Sequence, residues 1–410
     1  MLNTTIAVTR IAHGLLPTEF APDAAPAKDE PSFSQATVLL AHGQIRAIIT
    51  PDTGPDTTSD ATLPWLDATG CTLLPGFVDL HVHGAAGYDT MDATPAALTA
   101  LATFFTQHGV TGFLPTTMTA DRAATLAAVR NVPATGAVDG GARVLGVHLE
   151  GPFISPKFPG AQRADQIRPP DVTEFAALLQ AGPVRMITLA PEEDGAAQLI
   201  AMARAEDVVV VVGHTNADYD VCQAAFAAGA SQATHTYNAM TGLHHRRPGT
   251  LGAVLTNDTV DAQLIADNIH VHPAAMEILA RCKGPQRTLL ITDAMRAAGL
   301  PPGRYELGGQ PVTVADHACR LEDGTLAGSV LTMERALANF MAASGWPLHK
   351  AWPATSRNAA RALGMDNRLG EIKSGYWADL VLLDEELTVV ATIVDGQVVY
   401  LRDEERLHGE

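Results

Sequence analysis

Short apolar runs alternate with alanine- and leucine-rich segments through the middle of the chain. Eight runs have the length of a strand: 76–84, 109–117, 143–151, 184–192, 207–215, 232–240, 262–270 and 287–295. Segments with helical periodicity fill most intervals, for example 171–182 and 218–230. In the second of these, the packed face is predicted to contain Val221, Ala224, Ala225 and Ala228. Eight strand–helix units in about 220 residues predict a parallel (β/α)8 barrel of the TIM type, an α/β fold.

The alternative fold is a doubly wound open sheet. No strand-like run is followed by the glycine pattern GxGxxG that binds dinucleotides in that fold. The interval 241–261 is rich in glycine and proline and is only weakly helical. Beyond the eighth run, 303–324 predicts an inserted hairpin, and helices at about 331–344 and 349–363 are expected to close the barrel.

Both ends of the chain have the pattern of β-structure. TIAVTRIAHG and ATVLLAHGQIRAIIT stand at the front, separated by a Pro/Ala/Asp-rich loop at 21–35, and ADLVLLDEELTVVATIVDGQVVY stands at the back. HGQ and Asp395–Gly396 are expected to form hairpin turns. Neither end has enough strands for a stable sheet of its own. We therefore predict a small β-sandwich domain built from 1–74 and 376–410, with the barrel of 75–375 inserted between them.

Composition narrows the class of protein. The chain has 410 residues, 47% of them hydrophobic, and a net charge of −18, which argues against a nucleic-acid partner or an anionic membrane surface. No apolar run reaches the roughly 18 residues of a membrane span. The start, MLNTTIAVTR, lacks the pattern of a signal peptide. The cysteines form no CxxC pair, so we expect reduced thiols and a cytoplasmic protein with no membrane partner. They are Cys71, Cys222, Cys282 and Cys319.

Ionisable residues recur where the predicted barrel strands end. In FVDLHVHGAAG (77–87), alternation along a strand places His81 and His83 on one face. The other strand ends carry His148 and Glu150, His214, His235, His270 and Asp293. Each alone could be an ordinary loop or core residue, but in a barrel all of these ends meet at one mouth. The pattern therefore predicts a single shared site.

Histidines with a carboxylate suit Zn²⁺ or another first-row ion, and three protein ligands leave an open position for catalysis. Such an ion acidifies a bound water and polarises a carbonyl. Asp293 could then take the proton of the water and return it to a leaving group. The sequence contains neither a GxSxG nucleophile motif nor a phosphate-binding P-loop. These features favour metal-assisted hydrolysis.

Several longer stretches carry a family resemblance. They are LLPGFVDLHVHG, GVHLEGPFISPKFPGAQ, LAPE, GHTNADYD, ATHTYNAMTGLHHRRPG, LIADNIHVHP, LLITDAMRAAGLPPGRYELGG, DGTLAGSVLTM and ADLVLLD. HxH alone is common, but HLEGPF, THxYNAM and ITDAM in this order are specific. Over about residues 73–400 the chain resembles the N-acetylglucosamine-6-phosphate deacetylases of the amidohydrolase superfamily. The resemblance implies removal of the acetyl group from N-acetylglucosamine 6-phosphate.

The resemblance also implies a role for individual residues. Glu150, His214 and His235 match the ligands of the metal that the family always uses. His81 and His83 match a pair that binds a second ion in some members, and Asp293 matches the general acid/base. The implied cofactor is one or two divalent ions per subunit, with Zn²⁺ as first choice and Fe²⁺, Mn²⁺ or Co²⁺ as alternatives.

Further residues match the substrate-binding positions of the family. Asn238 and Ala239 match sugar contacts, and Arg246 and His270 match phosphate contacts. Arg246 is expected to reach the site of a neighbouring subunit, which implies a homodimer. The pocket is expected to include Ala161, Gln162, Leu326, Ala327 and Gly328. Independently, HHRR at 244–247 is a basic cluster in an acidic protein, which is either a solvated loop or an anion clamp.

The chain departs from the family pattern at a few positions. Gln162 stands where members usually have a sugar-contacting histidine, so the sugar or acyl group could differ. Asn268 stands where glycine is common, and Arg357-Asn358-Ala359-Ala360 replaces Asn-Pro-Ala in a structural region.

Three alternatives remain at this level. The first is a deacetylase of N-acetylgalactosamine 6-phosphate or another N-acyl amino sugar. The second is an amidase for an N-acyl-D-amino acid or a cyclic amide, although the fourth run ends ITLAPE without the modified lysine of the cyclic-amide enzymes. The third is an inactive scaffold, against which all the expected ligands are present.

Overall fold

The computed structural model describes residues 6–17, 33–51, 63–132 and 136–409. Most of the loop predicted at 21–35 lies outside these ranges, and so do the first five residues of the chain. The last residues of that predicted loop, from Phe33 onward, belong to a strand instead.

Eight parallel strands form the barrel. They are Phe77–Val82, Val110–Thr117, Val147–Glu150, Val184–Leu189, Val209–Val212, Gln232–Ala233, Asp261–Ile265 and Thr288–Ile291. Each pairs in parallel with the next along the chain. Past the eighth strand, the N–H of Asp293 donates to the carbonyl of His81 at 2.9 Å, which ties the last strand to the first. The (β/α)8 prediction is therefore confirmed, and the open sheet is wrong.

The strands are shorter than the apolar runs that predicted them. The sixth has only two residues, because the backbone turns to positive φ at His235 just beyond it. The third run is interrupted after the short strand Arg143–Val144, where Gly146 has a φ of 135°. Arg143–Val144 also pairs with a short antiparallel strand, Gly136–Ala137.

Helices fill the intervals between barrel strands and follow the last of them. They are Pro95–Thr106, Arg122–Asn131, Val172–Ala181, Ala196–Ala205, Tyr219–Ala228, Gly249–Thr256, Pro273–Arg287, Met333–Ser344, Leu348–Ala351 and Arg357–Ala362. Asp121, Asp171 and Asp218 each cap a helix by accepting from a backbone N–H of its first turn. The short 3₁₀ turns are Thr90–Asp92, Ala164–Gln166, Trp352–Thr355 and Glu404–Arg406.

Two helix predictions need correction. The buried face of Tyr219–Ala228 is formed by Cys222, Ala225 and Phe226, whereas Ala224 and Ala228 are exposed. The bulkier Phe226 gains more from burial than an alanine does, so it decides the face. The closing helix predicted at 349–363 is interrupted by the 3₁₀ turn Trp352–Thr355, which contains Pro353.

Strands from both ends of the chain join in one ten-stranded sheet. They are Ile6–Ala7, Arg10–Pro17, Phe33–Ala41, Gln44–Ile49, Trp65–Asp67, Thr72–Pro75, Leu380–Leu383, Val389–Val394, Gln397–Leu401 and Leu407–His408. Thr72–Pro75 pairs antiparallel with Leu380–Leu383 and so joins the two ends. Both predicted turns are present, with positive φ at His42–Gly43 and at Asp395–Gly396.

The terminal sheet and the barrel share one continuous cluster of buried apolar side chains. The division into a sandwich of 1–74 with 376–410 and a barrel of 75–375 stays a prediction. Among the described residues, no helix combines the length and apolar character needed to cross a membrane. All four cysteines are free.

A four-stranded antiparallel sheet, here called the meander, follows the barrel. Its strands are Gly303–Leu307, Gln310–Ala315, Ala318–Arg320 and Leu326–Ser329. The hairpin predicted at 303–324 is the first part of it. Leu307, Val312 and Cys319 of the meander pack with Met118 and Met295 in a second, smaller apolar cluster. Gly84–Ala85 and Tyr88–Asp89 form a further small hairpin after the first barrel strand.

A buried ion pair joins the barrel to the terminal sheet. Arg143 Nε lies 2.6 Å from Asp379 Oδ2, and Arg143 Nη2 lies 2.8 Å from Asp395 Oδ1. The guanidinium also lies over the ring of Trp377, 4.4 Å from its centroid. Because Asp379 is fully buried, its carboxylate depends on this partner.

We expect Arg143→Met to destabilise the protein by about 3–5 kcal/mol, since it leaves the carboxylate of Asp379 buried without its counter-ion. Arg281→Met is the matched control, because Arg281 forms an exposed pair with Glu277 and its loss should change stability by less than about 1 kcal/mol. Urea unfolding of both variants measures the difference. Equal unfolding midpoints would show that the buried pair does not hold the two parts together.

Candidate metal centre and its cavity

Six ionisable side chains meet at the carboxyl ends of the barrel strands. They are His81, His83, Glu150, His214, His235 and Asp293, and all are buried. Their ligand atoms form two groups, one of His81, His83 and Asp293 and one of Glu150, His214 and His235. The structure therefore confirms that these strand ends bring their ionisable side chains together at one place.

Glu150 lies between the two groups. Its Oε1 is 3.3 Å from His81 Nε2, 3.2 Å from His214 Nε2 and 3.0 Å from His235 Nε2. Its Oε2 is 3.2 Å from His83 Nε2. One carboxylate therefore faces the Nε2 atoms of four imidazoles, and Asp293 Oδ1 approaches two of these, His83 Nε2 at 3.2 Å and His81 Nε2 at 3.6 Å.

Unusual backbone geometry directs three of these side chains into the site. His214, His235 and Asp293 have positive φ values of 48°, 24° and 50°. Residues other than glycine adopt this region at a cost of about 1–3 kcal/mol, in turns such as the one at Asp395 and also at functional sites. Each of the three comes just after a barrel strand, so the chain turns sharply there and its side chain points into the mouth.

Hydrogen bonds on the outer nitrogens orient the imidazoles. His83 Nδ1 lies 3.2 Å from the carbonyl oxygen of Thr116, and His214 Nδ1 lies 2.9 Å from that of Phe158. A carbonyl only accepts, so Nδ1 carries a proton in both residues and Nε2 is the nitrogen that faces the site. His81 Nδ1 contacts the hydroxyl of Thr234 at 3.0 Å. His235 Nδ1 has no hydrogen-bond partner among the described residues.

The electrostatics of the site favour positive charge between these groups. Burial alone would raise the pKa of Glu150, but His81, His214 and His235 hold this pKa well below its usual value. Burial opposes a charged His83, yet Asp293 and Glu150 raise the pKa of His83 well above its usual value. His214 Nε2 and His235 Nε2 lie 3.1 Å apart, a distance that needs a proton or another cation between their lone pairs. The donor set therefore fits a divalent metal.

His148 lies beside the centre without entering either ligand group. Its Nδ1 contacts the carbonyl oxygen of Leu80 at 3.0 Å, and its Nε2 contacts the Thr188 hydroxyl at 2.8 Å. Its ring packs edge-on against His81 at a centroid distance of 4.7 Å. Burial lowers the pKa of His148 well below its usual value, so it packs there as a neutral imidazole.

A cavity of about 500 Å³ opens above the centre. The predicted residues that line it are Ala161, Gln162, Asn238, Ala239, His270, Leu326 and Gly328. Ala327 is completely buried and belongs to the apolar cluster of the meander instead. His270 is held by Asp267, whose Oδ2 lies 2.6 Å from His270 Nδ1. Asn268 has a positive φ of 65°, which explains how it can stand where glycine is common.

Sequence reasoning missed two cations on the rim of the cavity, Lys157 and Arg320. Neither pairs with a carboxylate among the described residues, and Arg320 donates to the backbone oxygen of Gly324. The loop that carries Lys157 is anchored to the meander that carries Arg320 by a 2.6 Å hydrogen bond from Gln310 Nε2 to the carbonyl oxygen of Ala161. No local pattern reveals these positions, because they depend on how the loop and the meander fold over the mouth.

Arg246, like Ala327, is a predicted site residue that does not line the cavity of the single chain. It is exposed, and its Nη1 contacts His245 Nε2 at 2.7 Å. It lines a separate surface hollow together with Asn216 and Tyr219. Its expected approach to a neighbouring subunit stays a prediction.

The chain is similar to known proteins over most of its length. Residues 72–399 match the amidohydrolase family. The chain is 42% identical to the N-acetylglucosamine-6-phosphate deacetylase of Bacillus subtilis, over 81% of this chain and 85% of that protein. It is 41% identical to the N-acetylgalactosamine-6-phosphate deacetylase of Escherichia coli O157:H7, over 80% of this chain and 87% of that protein.

A solved structure is similar over nearly the whole length. It is a variant of the N-acetyl-D-glucosamine-6-phosphate deacetylase from Mycobacterium smegmatis in complex with N-acetyl-D-glucosamine-6-phosphate. The TM-score is 0.84 at 32% identity, and the match covers 97% of this chain and 100% of that one.

The two ligand groups predict that the protein binds two divalent ions. We expect His81→Ala/His83→Ala to lose one ion, because the donors Glu150, His214 and His235 stay intact in that variant. Elemental analysis of purified protein gives the metal-to-protein ratio, and His349→Ala, at an exposed histidine, is the control. A ratio near one in the unchanged protein, kept in the double variant, would show that His81 and His83 hold no ion.

Proposed function

The chain belongs to the amidohydrolase family, and we propose that it hydrolyses the N-acetyl group of N-acetyl-D-glucosamine 6-phosphate to give D-glucosamine 6-phosphate and acetate. The observation that carries the proposal is the position of Glu150, His214 and His235 beside Asp293 at the floor of the cavity. The names of the similar deacetylases support the same substrate class.

We propose that Glu150, His214 and His235 hold one divalent ion and that His81 and His83 hold a second. Zn²⁺ is our first choice, because imidazole and carboxylate ligands suit it; Fe²⁺, Mn²⁺ and Co²⁺ are the alternatives. A bound ion would supply a more acidic water and a polarised acetamide carbonyl.

Asp293 is the proposed general base and acid. Burial alone would raise the pKa of Asp293, but His81 and His83 lower it below its usual value, so the carboxylate is ionised at neutral pH. An ionised carboxylate at the floor of the cavity can accept a proton from the attacking water. The same group can then protonate the nitrogen of the departing amino sugar.

The walls of the cavity are proposed to bind the amino-sugar phosphate. Asn238 offers its amide to the sugar hydroxyls, and Ala161, Ala239 and the Leu326–Gly328 segment shape the wall, with Ala327 behind it. His270 faces the same cavity and is the proposed phosphate contact, and Lys157 and Arg320 add positive charge at the rim. Arg246 is proposed to come from the second subunit of a homodimer. The dimer and the cytoplasmic location remain predictions.

We expect Asp293→Asn to lower kcat by about 10²–10⁴-fold, the usual share of a general acid–base group. Metal should remain with Glu150, His214 and His235, which the substitution leaves in place. Asp323→Asn changes an exposed carboxylate in a turn of the meander and is the control. Substantial turnover by Asp293→Asn would remove Asp293 from the mechanism.

The substrate is tested with a panel of N-acetylated hexosamines. It contains the glucosamine and galactosamine epimers, each with and without the 6-phosphate, and release of acetate is measured. We expect the phosphorylated glucosamine derivative to give the highest kcat/KM. Metal-replete protein that releases no acetate from any of them would instead favour an inactive scaffold or an amidase for other substrates.

We expect Arg246→Ala to raise KM for the phosphorylated sugar by about tenfold or more, since hydrogen bonds between charged groups are worth ~1.5–3 kcal/mol. KM for the unphosphorylated sugar should not change. Arg247→Ala, at the adjacent exposed arginine, is the matched control. If Arg246→Ala has no effect while Arg320→Met raises KM for the phosphorylated sugar, the phosphate is bound at the rim by this chain alone.

A further inference from the structure

The side chain of Gln162 contacts the centre rather than open space in the cavity. It is 5% exposed, and its Nε2 donates to Glu150 Oε2 at 2.7 Å. Its Oε1 accepts from the backbone N–H of Thr119 at 2.7 Å. Both contacts fix the orientation of the amide, because a flipped amide would place its oxygen against the carboxylate and its nitrogen against an N–H.

The hydrogen-bonding capacity of the Gln162 amide nitrogen is already used. One N–H is bound to Glu150, and Nε2 also lies 3.7 Å from the sulfur of Met118. Thr119 and Met118 follow the second barrel strand, whereas Gln162 lies in the loop after the third. Gln162 therefore joins the ends of two neighbouring strands through the carboxylate of Glu150, and no free donor is left for a sugar hydroxyl.

The rest of this loop supports the same centre. The carbonyl of Phe158 receives the Nδ1 proton of His214, and the N–H of Ser155 donates to the carbonyl of His214 at 2.8 Å. Gly160, with a φ of 56°, lies so close that an added Cβ would be 3.0 Å from His214 Cε1. The loop thus holds His214 from one side and Glu150 from another.

We propose that Gln162 is a positioning residue for Glu150. Its uncharged amide holds Oε2 by a hydrogen bond, so that Oε1 faces the imidazoles of His81, His214 and His235. A carboxylate without this bond can rotate about its terminal bond and lose the arrangement. This inference rests on the proposed metal site, and it replaces sugar contact as the role of Gln162.

The test compares Gln162→Met, which removes both hydrogen bonds at similar volume, with Gln166→Met on the same loop. The Gln166 amide contacts only the exposed Asp165 among the hydrogen-bonded groups described. Affinity for Zn²⁺ is measured by competition with a chelator, and kcat and KM are measured at saturating Zn²⁺. For Gln162→Met we expect Zn²⁺ binding about 10–100-fold weaker, the usual effect of removing an outer hydrogen bond to a ligand. We also expect a lower kcat and an unchanged KM, and Gln166→Met should match the unchanged protein.

Two outcomes would reject the role assigned to Gln162, and a third would reject the proposed function while leaving that role to be decided. Unchanged Zn²⁺ affinity and kcat with a raised KM would make Gln162 a sugar contact and reject the proposal. If Gln162→Met does not fold, Gln162→Asn, which keeps an amide that is one methylene too short, must show the same loss of Zn²⁺ affinity or the proposal fails. If the unchanged protein binds Zn²⁺ but deacetylates no amino-sugar phosphate, the proposed function fails, while Zn²⁺ affinity still decides the role of Gln162.

Discussion

The buried carboxylate of Glu150 is the constraint on which the rest of the site depends. A carboxylate removed from water is strongly destabilised unless charged or hydrogen-bonding groups surround it. Here four imidazoles and one amide do so, and they come from different barrel strands and from one loop. This arrangement requires the barrel to close, because His81 lies in the first barrel strand and Asp293 lies just after the eighth.

The closure is itself held by polar groups beneath the centre. The carboxylate of Asp79, in the first strand, accepts from the N–H groups of His81 at 3.2 Å and of Thr292 at 3.3 Å. The N–H of His83 donates to the carbonyl of Ala294 at 2.8 Å. The residues that offer the candidate ligands His81 and His83 thus also make structural hydrogen bonds through their backbone. A change at Asp79 would act on His81 and, through Thr292, on the neighbouring Asp293, although Asp79 belongs to neither ligand group.

The barrel and the meeting of candidate ligands at its mouth could be predicted from the sequence because both are encoded locally. A strand shows in its apolar run, and a candidate ligand such as Glu150 or His214 stands at the end of the run, so a repeated pattern reveals both. The helix face at Tyr219–Ala228 could not be predicted from alanine periodicity, because alanine is small enough to lie on either side. Phe226 decided the face by its volume.

Cavity residues whose positions depend on contacts between distant segments could not be predicted from the sequence. Lys157 and Arg320 meet the cavity because Gln310 binds the backbone of Ala161, 149 residues away. Arg246 shows the reverse case. Its cluster was recognisable from composition, yet the single chain leaves it on the surface. Its approach to the site of a second subunit stays a prediction.

The loop after the third barrel strand both lines the cavity and supports the candidate ligands, and Gln162 takes part in both roles. Ala161 and Gln162 line the cavity, while Phe158 and Gln162 hold His214 and Glu150. A substitution that reshapes the substrate wall here also moves a support of the centre. Gln162 stands where the family pattern has a histidine, and its amide donates to Glu150 but cannot gain a proton. The support it provides carries no charge of its own, so the positive charge that balances Glu150 must come from the imidazoles and from the metal proposed for this centre.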